Sequence, residues 1–151
     1  MIYYQDILKT KPKILLIKLE YNLMIDHIKG LIAATHTPTN PDGSVNLSRI
    51  KDQYRHLANN GVSGAFVCGS TGEGASFTVQ ERKAVAAQWA TVIEDDFKLI
   101  VHVGHASVTV ACELAEHASQ INASAIASVA PYYLKPQTLR SLVDTCAEIA
   151  A

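Results

Sequence analysis

The sequence predicts an α/β protein in which short buried strands alternate with amphipathic helices. Three observations carry this. From residue 30 onward a short apolar run is followed by a longer run with helical spacing, four times over. The short runs are apolar throughout, as strands of a parallel sheet covered on both faces are. Turn or helix-capping residues stand between the runs.

The first strand is read at residues 30–35 (GLIAAT), closed by His36, Thr37 and Pro38. Asn40, Pro41, Asp42 and Gly43 then supply turn chemistry. The first helix takes Asn46 as its candidate N-cap and carries Ile50, Tyr54, Leu57 and Ala58 on one face. Gly61 stands where a helix-ending glycine is expected. Residues 63–68 (SGAFVC) form the second strand, and residues 69–74 (GSTGEG) the loop after it. Thr78 and Glu81 make a T-x-x-E capping box for the second helix, whose inward stripe is Val85, Trp89, Val92 and Ile93. The third strand is residues 98–103. The third helix starts near Ser107, with Val110, Leu114, Ala118 and Ile121 inward. Residues 124–130 form the fourth strand and 131–136 a loop. A last helix carries Leu139, Leu142, Val143, Cys146 and Ala150 on one side.

The chain has 151 residues, 48% of them apolar and 18% charged, enough for a core and ordinary for one domain. A net charge of −1 gives no electrostatic reason to expect nucleic acid or an anionic membrane as partner. No run approaches the roughly 20 apolar residues of a membrane span. Cys68, Cys112 and Cys146 are odd in number and far apart, and read as reduced, small core residues of a cytoplasmic protein. The first 23 residues mix basic and apolar side chains, but no small-residue cleavage pattern follows a long enough apolar core, so no secretory signal is expected. Met24 is an alternative start. Residues 1–28 read as an extension of unassigned role, ahead of an alternating region at 29–151.

This β-α alternation fits either a doubly wound open sheet or a (β/α)8 barrel. The 69–74 loop lacks both G-x-G-x-x-G and the phosphate-loop pattern, so no nucleotide fingerprint favours the open sheet. Its adjacent hydroxyls, Ser70 and Thr71, can donate to a carboxylate or phosphate while glycine lets the main chain approach. The same composition suits a plain loop, and spacing alone leaves both readings open.

Several segments together carry a resemblance: residues 30–38 (GLIAATHTP), Asp42-Gly43, residues 66–74 (FVCGSTGEG), Glu81-Arg82, His102-Val103-Gly104 and residues 130–136 (APYYLKP). The chain resembles, from about Lys29 to its last residue, the N-acetylneuraminate lyase family, in one superfamily with dihydrodipicolinate synthase. The resemblance implies a (β/α)8 TIM barrel, of which 29–151 would be the N-terminal half, its first four β/α units. It implies class I aldolase chemistry: a lysine forms a Schiff base with pyruvate, and N-acetylneuraminate is cleaved reversibly to N-acetylmannosamine and pyruvate. It further implies that Ser70, Thr71 and Gly72 bind the substrate carboxylate, that Tyr133 is a candidate proton relay, and that the protein is a homotetramer acting on small molecules. No cofactor and no metal are implied. The family's Schiff-base lysine and substrate-side tyrosine belong to the fifth and sixth strands. No residue of these 151 matches them, so the chain alone is expected to be inactive. Another pyruvate aldolase of the superfamily, or a non-catalytic fragment binding carboxylates or a partner subunit, is the alternative. Four units would leave two open strand edges, so self-association is expected.

The remaining polar residues have plainer readings. Lys135 is expected on a hydrated loop between Leu134 and Pro136, where a solvated lysine is the plainer reading than a nucleophile. Glu73 more simply orders the loop than acts as a base. His102 and His105 lack the carboxylates or thiols of a metal site. His36 follows the first strand and is a candidate substrate contact, against a loop-packing role. Tyr132 and Trp89 read as packing residues.

Overall fold

The computed structural model describes residues 28–94 and 96–151; the extension ahead of them, with Met24, lies outside. Four strands, β1 (Ile32–Ala34), β2 (Gly64–Val67), β3 (Lys98–His102) and β4 (Ala125–Ala127), form one sheet in the order β1-β2-β3-β4. Every neighbouring pair is parallel. Helices α1 (Ile50–Asn59), α2 (Val79–Val92), α3 (Val108–Gln120) and α4 (Leu139–Ile149) follow the strands in turn. The β-α alternation is therefore present four times.

The strands are shorter than the apolar runs. Ser128 and the residues after it leave the sheet because the last bond from β3 to β4 is Val103 N–H to the Ala127 carbonyl. Beyond it Gly104 turns toward α3. At the far end of β2, Cys68 takes a left-handed conformation (φ 58°) and stops the pairing there.

Helix ends follow local chemistry. At α2 the Thr78 hydroxyl accepts from Glu81 N–H (3.2 Å), and the Glu81 carboxylate accepts from Thr78 N–H (2.8 Å). Ser107 caps α3 by accepting from Val110 N–H. Gly61 (φ 73°) ends α1 in a Schellman arrangement, with its own N–H on the Ala58 carbonyl and Val62 N–H on the Leu57 carbonyl. Asn46 does not cap α1. A short 3-10 turn (Leu47–Arg49) intervenes, and the Asn46 side chain is taken up by Asn40 and Ser48.

The core lies between the sheet and α1–α3. Ala65, Val67, Leu99, Val101 and Val103 bury one side of the strands against Ile50, Val85, Ala86, Trp89, Leu114 and Ala118. Phe97 joins the layers, stacking on Trp89 (6.4 Å) and meeting Tyr54 edge-on (5.1 Å). Two core assignments fail. Ala58 is exposed, since the buried face of α1 runs out at Leu57 one turn before the helix ends. Cys146 is exposed and Cys112 only half-buried, leaving Cys68 as the buried thiol. The cause lies in α4, whose Leu139 (65% exposed) and Val143 (53%) have no covering layer among the described residues. Trp89 is 1% exposed at the centre of this core. Trp89→Ala is expected to lower unfolding free energy by about 3–5 kcal/mol in denaturant titration.

Candidate functional site

The C-terminal end of β2 carries the loop that the sequence singled out. The left-handed Cys68 folds residues 69–74 back over the strand end, which explains the glycines. A Cβ on Gly74 would lie 1.9 Å from the Cys68 carbonyl oxygen, and one on Gly72 would lie 2.9 Å from the Thr35 carbonyl oxygen. A Cβ on Gly69 would strike the Phe66 ring at 2.2 Å. Within the loop, Glu73 N–H donates to the Ser70 carbonyl and Gly74 N–H to the Gly69 carbonyl, both at 3.1 Å. From the neighbouring β1 end, the Thr37 hydroxyl donates to the Gly72 carbonyl (2.7 Å). The loop is thus pinned at both sides of its tip.

Ser70 and Thr71 form that tip and are exposed. Among the described residues neither hydroxyl has a hydrogen-bond partner, and the amides of 70–72 reach no backbone carbonyl. Free hydroxyls and amides held together on a pinned turn are donors preorganised for an anion. Glu73 contributes through its backbone: it is left-handed (φ 52°) and leads into a short 3-10 turn (Gly74–Ser76) without a side-chain cap.

Beneath the loop sits a residue to which the residue-by-residue reading gave no role. Arg82, in the opening turn of α2, is 3% exposed. Its guanidinium donates to the His102 carbonyl (2.7 Å) and the Gly104 carbonyl (3.2 Å), where β3 ends. Its backbone carbonyl accepts from the Cys68 thiol at 3.8 Å. The sequence signal was a basic residue at a helix start, where the helix dipole disfavours it. Burial pushes the Cys68 thiol up to about 11, only partly offset by Arg82, so it is a protonated thiol near neutrality.

His102 extends from β3 on the same side as Phe66 (ring centroids 6.0 Å). Burial first, then the Arg82 charge, lowers its pKa below 6.5, while hydrogen bonding toward the Cys68 backbone acts the other way. His105 is a local turn residue, its Nδ1 accepting from Ser107 N–H (3.0 Å). His36 is engaged by α1 and has no hydrogen bond to the 69–74 loop among the described residues. Gln53 of α1 donates to its carbonyl (3.1 Å) and meets its ring Nε2 (2.9 Å), in a surface hollow shared with Arg49, Asp52 and His56. Tyr132 (54% exposed), Tyr133 (79%) and Lys135 all lie open on the loop after β4. A roomier hollow between α3, β4 and the end of α4 includes no residue of the 69–74 loop. Among the described residues no three His, Cys, Asp or Glu side chains group as metal ligands, and no helix is long and apolar enough to cross a membrane.

A folded pKa below 6.5 means that the unfolded chain binds more protons than the folded one below that pH. The His102 contribution to stability is therefore present above pH 6.5 and lost as pH falls through the folded value. His102→Gln should flatten the fall of unfolding free energy below pH 6.5, measured by denaturant titration across pH. A residual slope from His117, lowered by burial and Lys83, should remain.

The family model that matches is described as the dihydrodipicolinate synthetase family, over residues 27–151. Human N-acetylneuraminate lyase is 43% identical over 126 residues, 82% of this chain and 39% of its own length. The structure of Proteus mirabilis N-acetylneuraminate lyase superposes with a TM-score of 0.80 at 42% identity, covering 83% of this chain and 42% of that one. An E. coli K12 prophage protein of the dihydrodipicolinic acid synthase family, solved in complex with pyruvate, superposes with a TM-score of 0.78 at 26% identity, covering 83% of this chain and 42% of that one. The chain spans about two fifths of the length of these relatives.

Proposed function

Because this chain belongs to the dihydrodipicolinate synthetase family, with four β/α units of its barrel, we propose that it is part of a class I pyruvate aldolase of the N-acetylneuraminate lyase type. The observation that carries the proposal is the 69–74 loop, whose free Ser70 and Thr71 hydroxyls and 70–72 amides stand pinned at the end of β2. The higher identity to lyases than to the pyruvate-bound synthase relative supports the lyase branch.

In this reading Ser70, Thr71 and Gly72 hold the substrate carboxylate by hydrogen bonds, fixing the 2-oxo group for attack. A neutral lysine amine adds to that carbonyl carbon and water leaves, giving the Schiff base. The imine then accepts the electron pair released when the C–C bond of the sugar acid breaks. No lysine of these residues matches that nucleophile, and Lys135 is exposed on a loop. These 151 residues bind one end of the substrate and do not complete the reaction. Tyr133, exposed on the loop after β4, is the candidate proton relay, and homo-oligomeric assembly belongs to the same proposal.

Borohydride reduction separates the parts of this reading, because it converts a pyruvate imine to a stable secondary amine. Intact mass should show no adduct on the 151-residue chain of 16.3 kDa. A longer polypeptide containing this sequence, isolated from its source, should carry one adduct. An adduct on the 151-residue chain would overturn the claim that its own lysines are not nucleophiles. A longer polypeptide without an adduct would overturn the aldolase. In sedimentation, the 151-residue chain should self-associate with rising concentration, since β1 and β4 are open edges of the sheet. A concentration-independent monomer would contradict that.

A further inference from the structure

Arg82 violates three ordinary expectations together. It is a charge buried to 3% exposure, and among the described residues it has no carboxylate in salt-bridge range. It lies in the opening turn of α2, where the helix dipole repels a cation. Its Nε is buried without a hydrogen-bond partner. The adjacent Glu81 does not compensate, because its carboxylate is committed to the Thr78 amide and hydroxyl. The groups nearest the guanidinium are two carbonyls, the Cys68 thiol, held protonated by burial, and the His102 ring, and none of them is a carboxylate. A fold keeps such an arrangement when something else supplies the negative charge.

We propose that the missing counter-charge is the carboxylate of a small 2-oxo acid bound at the 69–74 loop, with Arg82 as the buried cation that selects for it. This rests on the carboxylate reading of the loop. The link between the two is Cys68. Its thiol faces Arg82, and Gly72 and Gly74 of the loop press on its backbone. The guanidinium need not touch the ligand. Because the Arg82 side chain is itself buried, its field acts across the intervening residue. Ser70 and Thr71 supply hydrogen bonds that any acceptor could use, and Arg82 supplies the preference for a charged one. Arg82 is thus a positioning residue for specificity.

The test compares pyruvate with pyruvamide, its uncharged analogue of nearly the same shape, by NMR-detected titration of the 151-residue chain. Wild type should bind pyruvate about tenfold or more tightly than pyruvamide. Arg82→Lys should keep most of that preference, and Arg82→Met should lose it while still binding pyruvamide. Retention of the preference in Arg82→Met would overturn the role of Arg82 and leave the loop reading standing. Binding of neither compound to wild type would overturn the loop reading and this inference with it. Because Arg82→Met also removes the ties to His102 and Gly104, the wild-type chain provides a second readout. The Arg82 Nε–H resonance should shift with pyruvate and not with pyruvamide. An unmoved resonance in a chain that binds pyruvate would overturn the proposal.

Discussion

The C-terminal face of this protein depends on one backbone reversal, at Cys68. A non-glycine residue in the left-handed region costs about 1–3 kcal/mol and persists only where its surroundings hold it there. Here they do. Gly72 and Gly74 fit against the Cys68 backbone with no room for a Cβ, Thr37 ties the loop to the end of β1, and the Cys68 thiol rests on the Arg82 carbonyl. Each contact needs the reversal, and the reversal needs each contact. The outcome is a rigid turn that presents Ser70 and Thr71 on the side of the sheet where strands end.

The same region joins successive units of the fold. Arg82, in the opening turn of the helix after β2, donates to the carbonyls at the end of β3, so one β/α unit is braced against the next. Beyond β4 the bracing stops. Val129, Tyr132, Tyr133, Leu134, Leu139 and Val143 are exposed apolar or aromatic side chains. The gradient runs from a packed centre at β2 and β3, with Trp89 and Leu99 buried, to a lightly covered sheet edge at β4. Solved relatives share this portion with TM-scores near 0.8.

What the sequence disclosed followed the range of the interaction involved. The Thr78–Glu81 cap and the Gly61 helix end are set by residues a turn apart, and both were legible. The strands were found but overextended, because their ends depend on where neighbours stop pairing. Asn46 was misread as a cap because its side chain prefers the Asn40–Ser48 turn, a choice that spacing does not reveal. Cys146 was placed in a core that α4 does not have. The composition of 69–74 was visible, yet the reason for its glycines lies in distances to Cys68 and Thr35. Arg82 was hidden most fully, since an arginine reads as solvated unless two carbonyls from a strand 20 residues away are known to receive it. Barrel membership came from the resemblance, which the family match supports, because periodicity alone could not separate a barrel from an open sheet.

The most direct test of this account is a map of backbone amide shifts in the 151-residue chain as pyruvate is added. The amides of Ser70, Thr71 and Gly72 should move saturably and together, with Glu73 and Gly74, whose N–H groups are already bonded within the loop, moving less. Saturable shifts confined to another region, such as the hollow around His36 and Gln53, would contradict the claim that the turn over Cys68 is built to hold a carboxylate.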